Sequence, residues 1–442
     1  MRELFPRAAA GSDLSRAAEA PGCEADALER LTEGLRRRAE DGVTAPELPA
    51  LAAHFSARRP ALFARLLSRG RGDAGEALPR ALARTLYGAR AAMSASRLEQ
   101  FNRCPFAHFV RYGLRAGERP EYRERAADLG SFYHEALRAF FRAAEEDGLA
   151  VGALTDGQQR LLLERVLPEV LAAHNDGVLL GDERLRATLF LLVETLRHSV
   201  AAIVRQLAAG AFEPAGAEVR FGEGCAFPPI ELEAADGTRA LLYGVIDRID
   251  RAGDVVRVVD YKTGGRALDF AAILDGLELQ LPLYLLAATG GGGTAGGMYY
   301  MPIRVPPVQD GRDVEAALAE AFRLRGLTLS EPRVLALSDA AFARGEAAQS
   351  SVVYGLSRLK KDGSLRGALA EAPEFSALLQ AAKRRAAASL EGMMAGVAAA
   401  SPVEGACGYC PYRSVCRFDA RLPLCRTRRR RKLSQRAFFE EV

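Results

Sequence analysis

The chain is mostly patterned as helix, but its middle contains a compact group of strand-like segments. Apolar residues recur at helical spacing in the ranges 27–38, 78–92, 96–104, 127–146, 157–174, 182–209, 267–288 and, for the most part, 313–396. Strand patterns occupy the ranges 217–222, 240–250, 254–262 and 297–305. This order predicts an α/β or α+β fold with a small mixed sheet flanked by helices.

The same pattern suggests how the 442 residues divide into domains. We expect a helical N-terminal segment at 1–92, a main domain at 93–425 and a basic tail at 426–442. Ser94 is placed to cap the first helix of the main domain. The helices at 157–174 and 182–209 have the character of a helical insertion covering about 150–210.

Charge and composition exclude some classes of protein. The 60 Lys and Arg residues nearly balance 56 Asp and Glu residues, and six of the basic residues lie in the run 426–432. A uniformly basic DNA-coating protein is therefore excluded, and the run is either a DNA-backbone contact or a solvated tail.

No secretion signal is visible, and the long uncharged stretch 279–303 contains six Gly and two Pro. We therefore expect a cytoplasmic protein.

A predicted β-hairpin carries the most specific chemistry. The strands 240–250 and 254–262 are joined by a short turn with Gly253, and this spacing places Asp247 beside Asp260 on the opposite strand. Because side chains alternate along a strand, Asp260 and Lys262 share one face and Tyr261 takes the other.

Two neighbouring carboxylates repel each other unless a cation lies between them, and oxygen ligands suit Mg²⁺ or Mn²⁺. An adjacent ammonium can orient a water or neutralise charge on a phosphate. Lys262 is one of only five lysines in a chain with 55 arginines, so lysine at this position is unusual. The alternative is a surface hairpin with an incidental Asp–Lys pair.

Four motifs resemble the PD-(D/E)XK nuclease superfamily in its RecB-like branch. GVIDRID (244–250) and VVDYKTG (258–264) are similar to its metal-binding core. GSFYH (130–134) resembles its G-x-x-x-H motif, and QLPLY (280–284) resembles its Q-x-x-x-Y motif. The four motifs occur in the family's order, and the resemblance implies the family's fold, a small mixed sheet flanked by helices.

The resemblance implies a divalent-metal site and a set of catalytic residues. Side chains of His134, Asp247 and Asp260 would bind the metal, with the backbone carbonyl of Tyr261 as a further ligand. The family's proline before the first aspartate is replaced here by Ile246, which is usual in this branch.

The remaining motif residues would act beside the metal. Lys262 would be the catalytic lysine, and Gln280 and Tyr284 would position DNA or the active-site loop. Glu218, on the strand before the hairpin, is a further residue that could reach the site.

A cluster of cysteines indicates a second metal centre. Cys407, Cys410 and Cys416 lie within ten residues, with turn-forming residues between them. Both zinc and a [4Fe–4S] cluster require a fourth ligand. The candidates for it are Cys104, Cys425, Cys225 and Cys23.

Residues 94–114 (SASRLEQFNRCPFAHFVRYGL) and 407–419 (CGYCPYRSVCRFD) resemble the iron–sulfur nuclease domain of AddB, a component of the AddAB helicase–nuclease. The likeness extends over residues 94 to about 420. It implies a [4Fe–4S] cluster held by Cys104, Cys407, Cys410 and Cys416. We expect the chain to correspond to the C-terminal part of an AddB-type protein, with 1–92 a remnant of an inactivated helicase region.

The AddB resemblance implies a Mg²⁺-dependent exonuclease that degrades single strands, on the 5′-ended strand, during double-strand-break repair with an AddA-like partner. No Gly-Lys pair occurs in the sequence, so we expect no phosphate-binding loop for ATP.

Two alternatives to this function stay open at this point. One is an iron–sulfur exonuclease of CRISPR adaptation, although such proteins are usually much shorter. The other is a non-catalytic DNA-binding scaffold.

Overall fold

The computed structural model describes residues 23–70, 77–88, 92–117, 126–174, 183–306, 313–345, 350–359, 361–416, 418–422 and 425–442. Within these ranges the chain forms two compact units. The first consists of the described parts of Met1–Tyr87, Arg103–Gly117 and Met393–Arg430. The second consists of the described parts of Gly88–Asn102, Glu118–Gly392 and Arg431–Val442.

The helices are α1 Glu24–Asp41, α2 Leu48–Arg58, α3 Pro60–Gly70, α4 Arg80–Tyr87, α5 Ala95–Arg103, α6 Pro105–His108, α7 Ala126–Glu146, α8 Asp156–Ala173, α9 Glu183–Ala208, α10 Phe270–Asp275, α11 Gln280–Thr289, α12 Val314–Ala321, α13 Pro332–Ser338, α14 Ala340–Arg344, α15 Ala372–Met394, α16 Arg413–Cys416 and α17 Gln435–Glu441. The strands are β1 Ala92–Met93, β2 Glu213–Phe221, β3 Ile230–Glu233, β4 Arg239–Leu242, β5 Gly244–Ala252, β6 Val255–Lys262, β7 Thr294–Pro302, β8 Arg325–Leu329, β9 Ser357–Arg358, β10 Leu365–Arg366 and β11 Leu369–Ala370.

The second unit is built on a mixed six-stranded sheet with the order β11-β8-β7-β6-β5-β2. Strands β5 and β6 form the predicted antiparallel hairpin, and Gly253 in its turn has a left-handed φ of 62° that favours glycine. Strands β6 and β7 are parallel, and helices α10 and α11 form the crossover between them. The expected small mixed sheet flanked by helices is confirmed.

The sheet departs from the strand pattern read in the sequence at one point. The single predicted strand 240–250 is two strands, because the chain leaves one sheet and enters another at Tyr243. Strand β4 pairs with β1 and β3 in a separate three-stranded sheet, while β5 pairs with β2 and β6. The backbone N–H of Tyr243 donates to the carbonyl of Met93 at 2.8 Å at this transition.

Two helical predictions also need correction. The predicted helix 267–288 is α10 followed by α11, because Gly276 ends α10 in a left-handed conformation with φ 74°. The range 313–396, expected to be mainly helix, contains strands β8, β9, β10 and β11 in addition to helices. Strand β8 is buried against β7, and tertiary pairing of this kind overrides local propensity.

The predicted insertion consists of α8 and α9. Helix α8 begins with a capping box, in which the Thr155 side chain accepts from the backbone of Gln158 and the Gln158 side chain accepts from the backbone of Thr155. Within the described part of the chain, one stretch, Ala187–Ala208 of α9, is long and apolar enough to span a membrane by composition. This helix packs against α7 and α8.

The first unit contains helices α1 to α3 around an apolar core that includes Leu31, Leu48 and Phe55. Elsewhere in this unit, the N–H of Val403 donates to the carbonyl of Arg103 at 2.9 Å. The side chain of Arg428, from the basic run, donates to the carbonyl of Ser401 at 2.9 Å. This arginine therefore has a structural role within the unit.

The end of the predicted tail belongs to the second unit. Helix α17 packs on α10, with the rings of Phe438 and Phe270 5.4 Å apart. Arg431 pairs with Asp275 at 2.9 Å. Both contacts involve residues of the range 426–442, which the sequence predicts to be a basic tail.

A buried charge cluster lies between the central strands of the sheet. Asp250 pairs with Arg248 at 3.0 Å and with Arg257 at 2.8 Å, and all three side chains are almost completely shielded from solvent. The two guanidinium groups lie against aromatic rings, with Arg257 4.2 Å from the ring centre of Phe212. Asp250 is therefore the anion that two buried guanidinium groups share.

Replacing Asp250 by Ala is expected to destabilise the protein by about 3–5 kcal/mol, because two buried guanidinium groups lose their counter-ion. Chemical denaturation monitored by circular dichroism would measure this difference. Asp254→Ala is the matched control, since Asp254 forms a half-exposed ion pair with Arg333. The control should lower the unfolding free energy much less than Asp250→Ala does, because solvent screens an exposed ion pair. Equal stability of the two variants would contradict the structural role of Asp250.

Candidate active site

The hairpin places the two predicted carboxylates opposite each other. Arg248 pairs with Val259 across the strands, so the next position of the same register sets Asp247 opposite Asp260. This is the register expected from the sequence. Asp247 is 8% exposed and Asp260 is 3% exposed. Burial of two carboxylates so close together favours either bound cations or bound protons.

Lys262 and Asp260 share one strand face, as expected from the period of a strand. The Nζ atom of Lys262 lies 2.5 Å from Oδ2 of Asp260. Tyr261, between them, uses its backbone N–H to donate to Oδ2 of Asp247 at 2.8 Å. Its hydroxyl accepts from Arg248 at 3.3 Å on the buried side. The strand thus presents an ammonium and a carboxylate side by side at its end.

Helix α7 brings His134 to the hairpin. Its Nδ1 atom lies 3.3 Å from Oδ2 of Asp247 and 3.7 Å from Oε1 of Glu218. The ligand atoms of His134, Glu218 and Asp247 all lie within 4.8 Å of one another, close enough to bind one cation. Asp260 lies outside this group of three, although the charges of Asp260 and His134 act on each other.

Glu218 is the residue of this site to which the sequence motifs assigned no role. It lies on β2, where Ala217 pairs with Arg248 and Val219 pairs with Ile246, so Glu218 falls opposite Asp247. Its backbone has a left-handed φ of 53°, a conformation that is strained for a residue with a Cβ. A carboxylate on a neighbouring strand was visible in the sequence, but its register was not.

The electrostatics of the site favour positive charge. Burial and the charge of Asp247 raise the pKa of Asp260 to about 7, against the opposing effect of Lys262. Burial lowers the pKa of His134, but hydrogen bonds to Asp247 and Glu218 outweigh it and raise this pKa to about 10. The carboxylates therefore stabilise a proton on the imidazole. A divalent cation would satisfy the same electrostatic demand and displace that proton.

The Q-x-x-x-Y residues lie on α11 beside the site. Burial, together with the charges of Asp260 and Asp247, raises the pKa of Tyr284, whose ring lies 5.8 Å from that of Phe221. Gln280 is the first residue of α11. The carboxylate of Glu99 accepts from the backbone N–H of Leu279 at 2.7 Å and of Gln280 at 3.1 Å, which holds the start of this helix.

A cleft of about 670 Å³ opens beside His134 and Glu218. Its walls also include Tyr261 and Lys262, together with residues of α7. It is thus large enough for part of a polymeric substrate, and the Glu218 carboxylate and the lysine lie at its wall.

The first unit brings the predicted cluster ligands together. Burial raises the pKa of the Cys407 thiol, and the charges of Cys104, Cys410 and Cys416 raise it further. Burial is likewise the main cause of a raised pKa at Cys104. Cys104 thus lies beside the three C-terminal cysteines although about 300 residues separate them in the chain.

The other cysteines lie in different surroundings. Cys425 is buried, and Cys23 and Cys225 are exposed. The four cysteines of the predicted cluster are all described, and no three of their sulfur atoms lie within 4.8 Å of one another.

Three features together define a class of nuclease fold. They are the mixed sheet, the carboxylate hairpin with its lysine, and the histidine from helix α7. The chain matches the PD-(D/E)XK nuclease superfamily over residues 92–417, and it belongs to that superfamily.

Relatives with known names are more specific. The chain is 35% identical over 392 residues to the AddB subunit of the ATP-dependent helicase/deoxyribonuclease of Moorella thermoacetica, covering 84% of this chain and 34% of that protein. It is 36% identical over 373 residues to the protein of the same name from Symbiobacterium thermophilum, covering 78% of this chain and 31% of that protein. The resemblance to AddB is thereby confirmed, and the chain spans about a third of the length of these relatives.

Proposed function

We propose that this chain is the deoxyribonuclease part of an AddB-type protein and cleaves single-stranded DNA ends in double-strand-break repair. The observation that carries the proposal is that His134 and Lys262 line one cleft, and that the buried carboxylates of Asp247 and Asp260 contact them. Membership of the nuclease superfamily and the similarity to AddB of the helicase/deoxyribonuclease support it. The intact carboxylates and lysine argue against a non-catalytic scaffold.

The residues fit a divalent cation such as Mg²⁺ or Mn²⁺. His134, Asp247 and Glu218 form a group of suitable size, with Asp260 beside them and the backbone carbonyl of Tyr261 as the further ligand that the family implies. A cation bound there would supply Lewis-acid polarisation of the scissile phosphate. Lys262 is placed to orient a water or to donate to a phosphate oxygen. Gln280 and Tyr284 are proposed to position the DNA or the loop around it.

The second metal centre is proposed to be a [4Fe–4S] cluster held by Cys104, Cys407, Cys410 and Cys416. The resemblance of residues 94–114 and 407–419 to the iron–sulfur nuclease domain of AddB supports a cluster over a single zinc ion. Four thiolates that link residues about 300 positions apart would stabilise the first unit by closing a long loop.

The proposed partner is an AddA-like protein that opens the duplex, with the 5′-ended strand as the substrate of this chain. The similarity to AddB of the helicase/deoxyribonuclease, over 84% of the chain, favours this assignment over a nuclease of CRISPR adaptation. The expected cytoplasmic location follows from the same assignment.

The chain by itself is expected to cut single-stranded DNA in the presence of Mg²⁺, with no cleavage in EDTA and little cleavage of blunt duplex. It is also expected to show no DNA-stimulated ATP hydrolysis, because no Gly-Lys pair is available for a phosphate-binding loop. End-labelled single-stranded and blunt duplex oligonucleotides would measure the first expectation, and phosphate release the second.

Equal cleavage rates on the two substrates would show that this chain does not depend on a separate motor to open DNA. Absence of Mg²⁺-dependent cleavage on either substrate would favour the scaffold alternative. A strand labelled at either its 5′ or 3′ end would reveal which end the enzyme degrades.

A further inference from the structure

The charged groups that line the catalytic cleft are mostly engaged with one another. On the strand side, Lys262 pairs with Asp260, and Glu218 lies near His134. On the helix side, Glu135 pairs with Nδ1 of His174 at 3.0 Å. The cleft therefore has few charges left for contact with a bound strand.

Arg138 is the exception among these charged groups. It is exposed, it lines the same cleft, and it makes no ion pair within the described part of the chain. It follows His134 by four residues on α7, so it lies on the same helix face, with a rise of about 6 Å along the axis. An unpaired guanidinium thus stands one helical turn from the metal-binding histidine.

A second cavity, of about 700 Å³, shares one lining residue with the catalytic cleft. Arg138 lines both cavities, and the second runs past Phe141 and Arg142 of α7 and the start of β2. The other charged residues of its lining are Arg142, Glu145 and Glu213, so without Arg138 the lining would carry a net negative charge. The second cavity thus offers space for a strand, and the unpaired positive charge lies at its junction with the catalytic cleft.

We propose that Arg138 binds a backbone phosphate of the DNA strand adjacent to the phosphate at the metal site, and thereby directs the strand along α7. This inference rests on the proposed nuclease function. A guanidinium suits the role, because its planar set of donors can bind two phosphate oxygens at once. Arg138 is a substrate-binding residue that touches DNA but not the reacting atoms.

Arg138→Gln in the full chain is expected to raise KM for a single-stranded oligonucleotide roughly fivefold, the effect of losing one exposed charge-assisted contact. The value of kcat should stay close to that of the unsubstituted chain. Binding would be measured by fluorescence anisotropy in the cleavage-deficient Lys262→Ala background with Mg²⁺, over a series of salt concentrations. One lost phosphate contact should reduce the slope of log Kd against log salt by about 0.7.

Two further variants separate charge from folding. Arg138→Lys keeps the positive charge and should retain the salt slope. Arg160→Gln, at an exposed arginine of the neighbouring helix α8, should leave KM and the salt slope unchanged. An unchanged salt slope in Arg138→Gln, or an equal loss in Arg138→Lys, would overturn the proposal. Failure of the unsubstituted chain to cut single-stranded DNA would instead overturn the proposed function.

Discussion

Replacing Lys262 by Ala is expected to reduce Mg²⁺-dependent DNA cleavage at least about 1,000-fold, while folding is retained. The ammonium of Lys262 lies 2.5 Å from Asp260 and lines the cleft. In the proposed mechanism it contacts a phosphate oxygen or a water there. Asp260→Asn, which keeps the volume of the side chain, should have an effect of similar size. Cleavage of an end-labelled single-stranded oligonucleotide measures both.

A matched control separates loss of chemistry from loss of structure. Lys361→Ala removes an exposed lysine and should leave cleavage unchanged. Lys262→Arg is expected to restore little activity, because a planar guanidinium does not reproduce the point charge of an ammonium. Melting temperatures of all variants should lie near that of the unsubstituted chain. Cleavage by Lys262→Ala within tenfold of the unsubstituted rate would refute the assigned role.

Single Ser substitutions at Cys104, Cys407, Cys410 and Cys416 are each expected to abolish iron binding and the brown colour of the purified protein. The expected loss of stability is on the order of 5 kcal/mol, because a link that closes a loop of about 300 residues is removed. Iron and sulfide analysis with visible absorption spectroscopy measures the cluster, and thermal unfolding measures the stability.

The remaining cysteines provide the controls. Cys225→Ser, at an exposed position, and Cys425→Ser, at a buried one, should both retain the full iron content. Stoichiometric zinc without iron after anaerobic purification would contradict the cluster assignment. Loss of iron in the Cys425 variant, together with full iron content in the Cys104 variant, would show that the wrong fourth ligand had been chosen.

The hairpin shows how much of the site could be predicted from the sequence. Two apolar runs around Gly253 specify an antiparallel pair, and the short turn sets the register to within about two residues. The observed pairing places Asp247 opposite Asp260 and puts Lys262 on the face of Asp260. This was predictable because hairpin contacts are local and the period of a strand is two.

Other features depended on contacts between distant segments. The run 240–250 divides at Tyr243 because β4 and β5 join different sheets. Strand β8 forms because β7 lies beside it, although the surrounding residues favour helix. The alternation of apolar and polar residues does not say which sheet a strand will join, so these features could not be predicted.

The sequence by itself determined the chemical groups of this protein and their local order: the carboxylate hairpin with its lysine, and the three-cysteine run at 407–416. Only the tertiary structure decided which distant groups join them. Packing of α7 and β2 against the hairpin brings His134 and Glu218 to Asp247, and the fold of the first unit brings Cys104 beside Cys407. The physical reason is that distances within a hairpin follow from backbone geometry, whereas distances between separate elements depend on how the whole core packs.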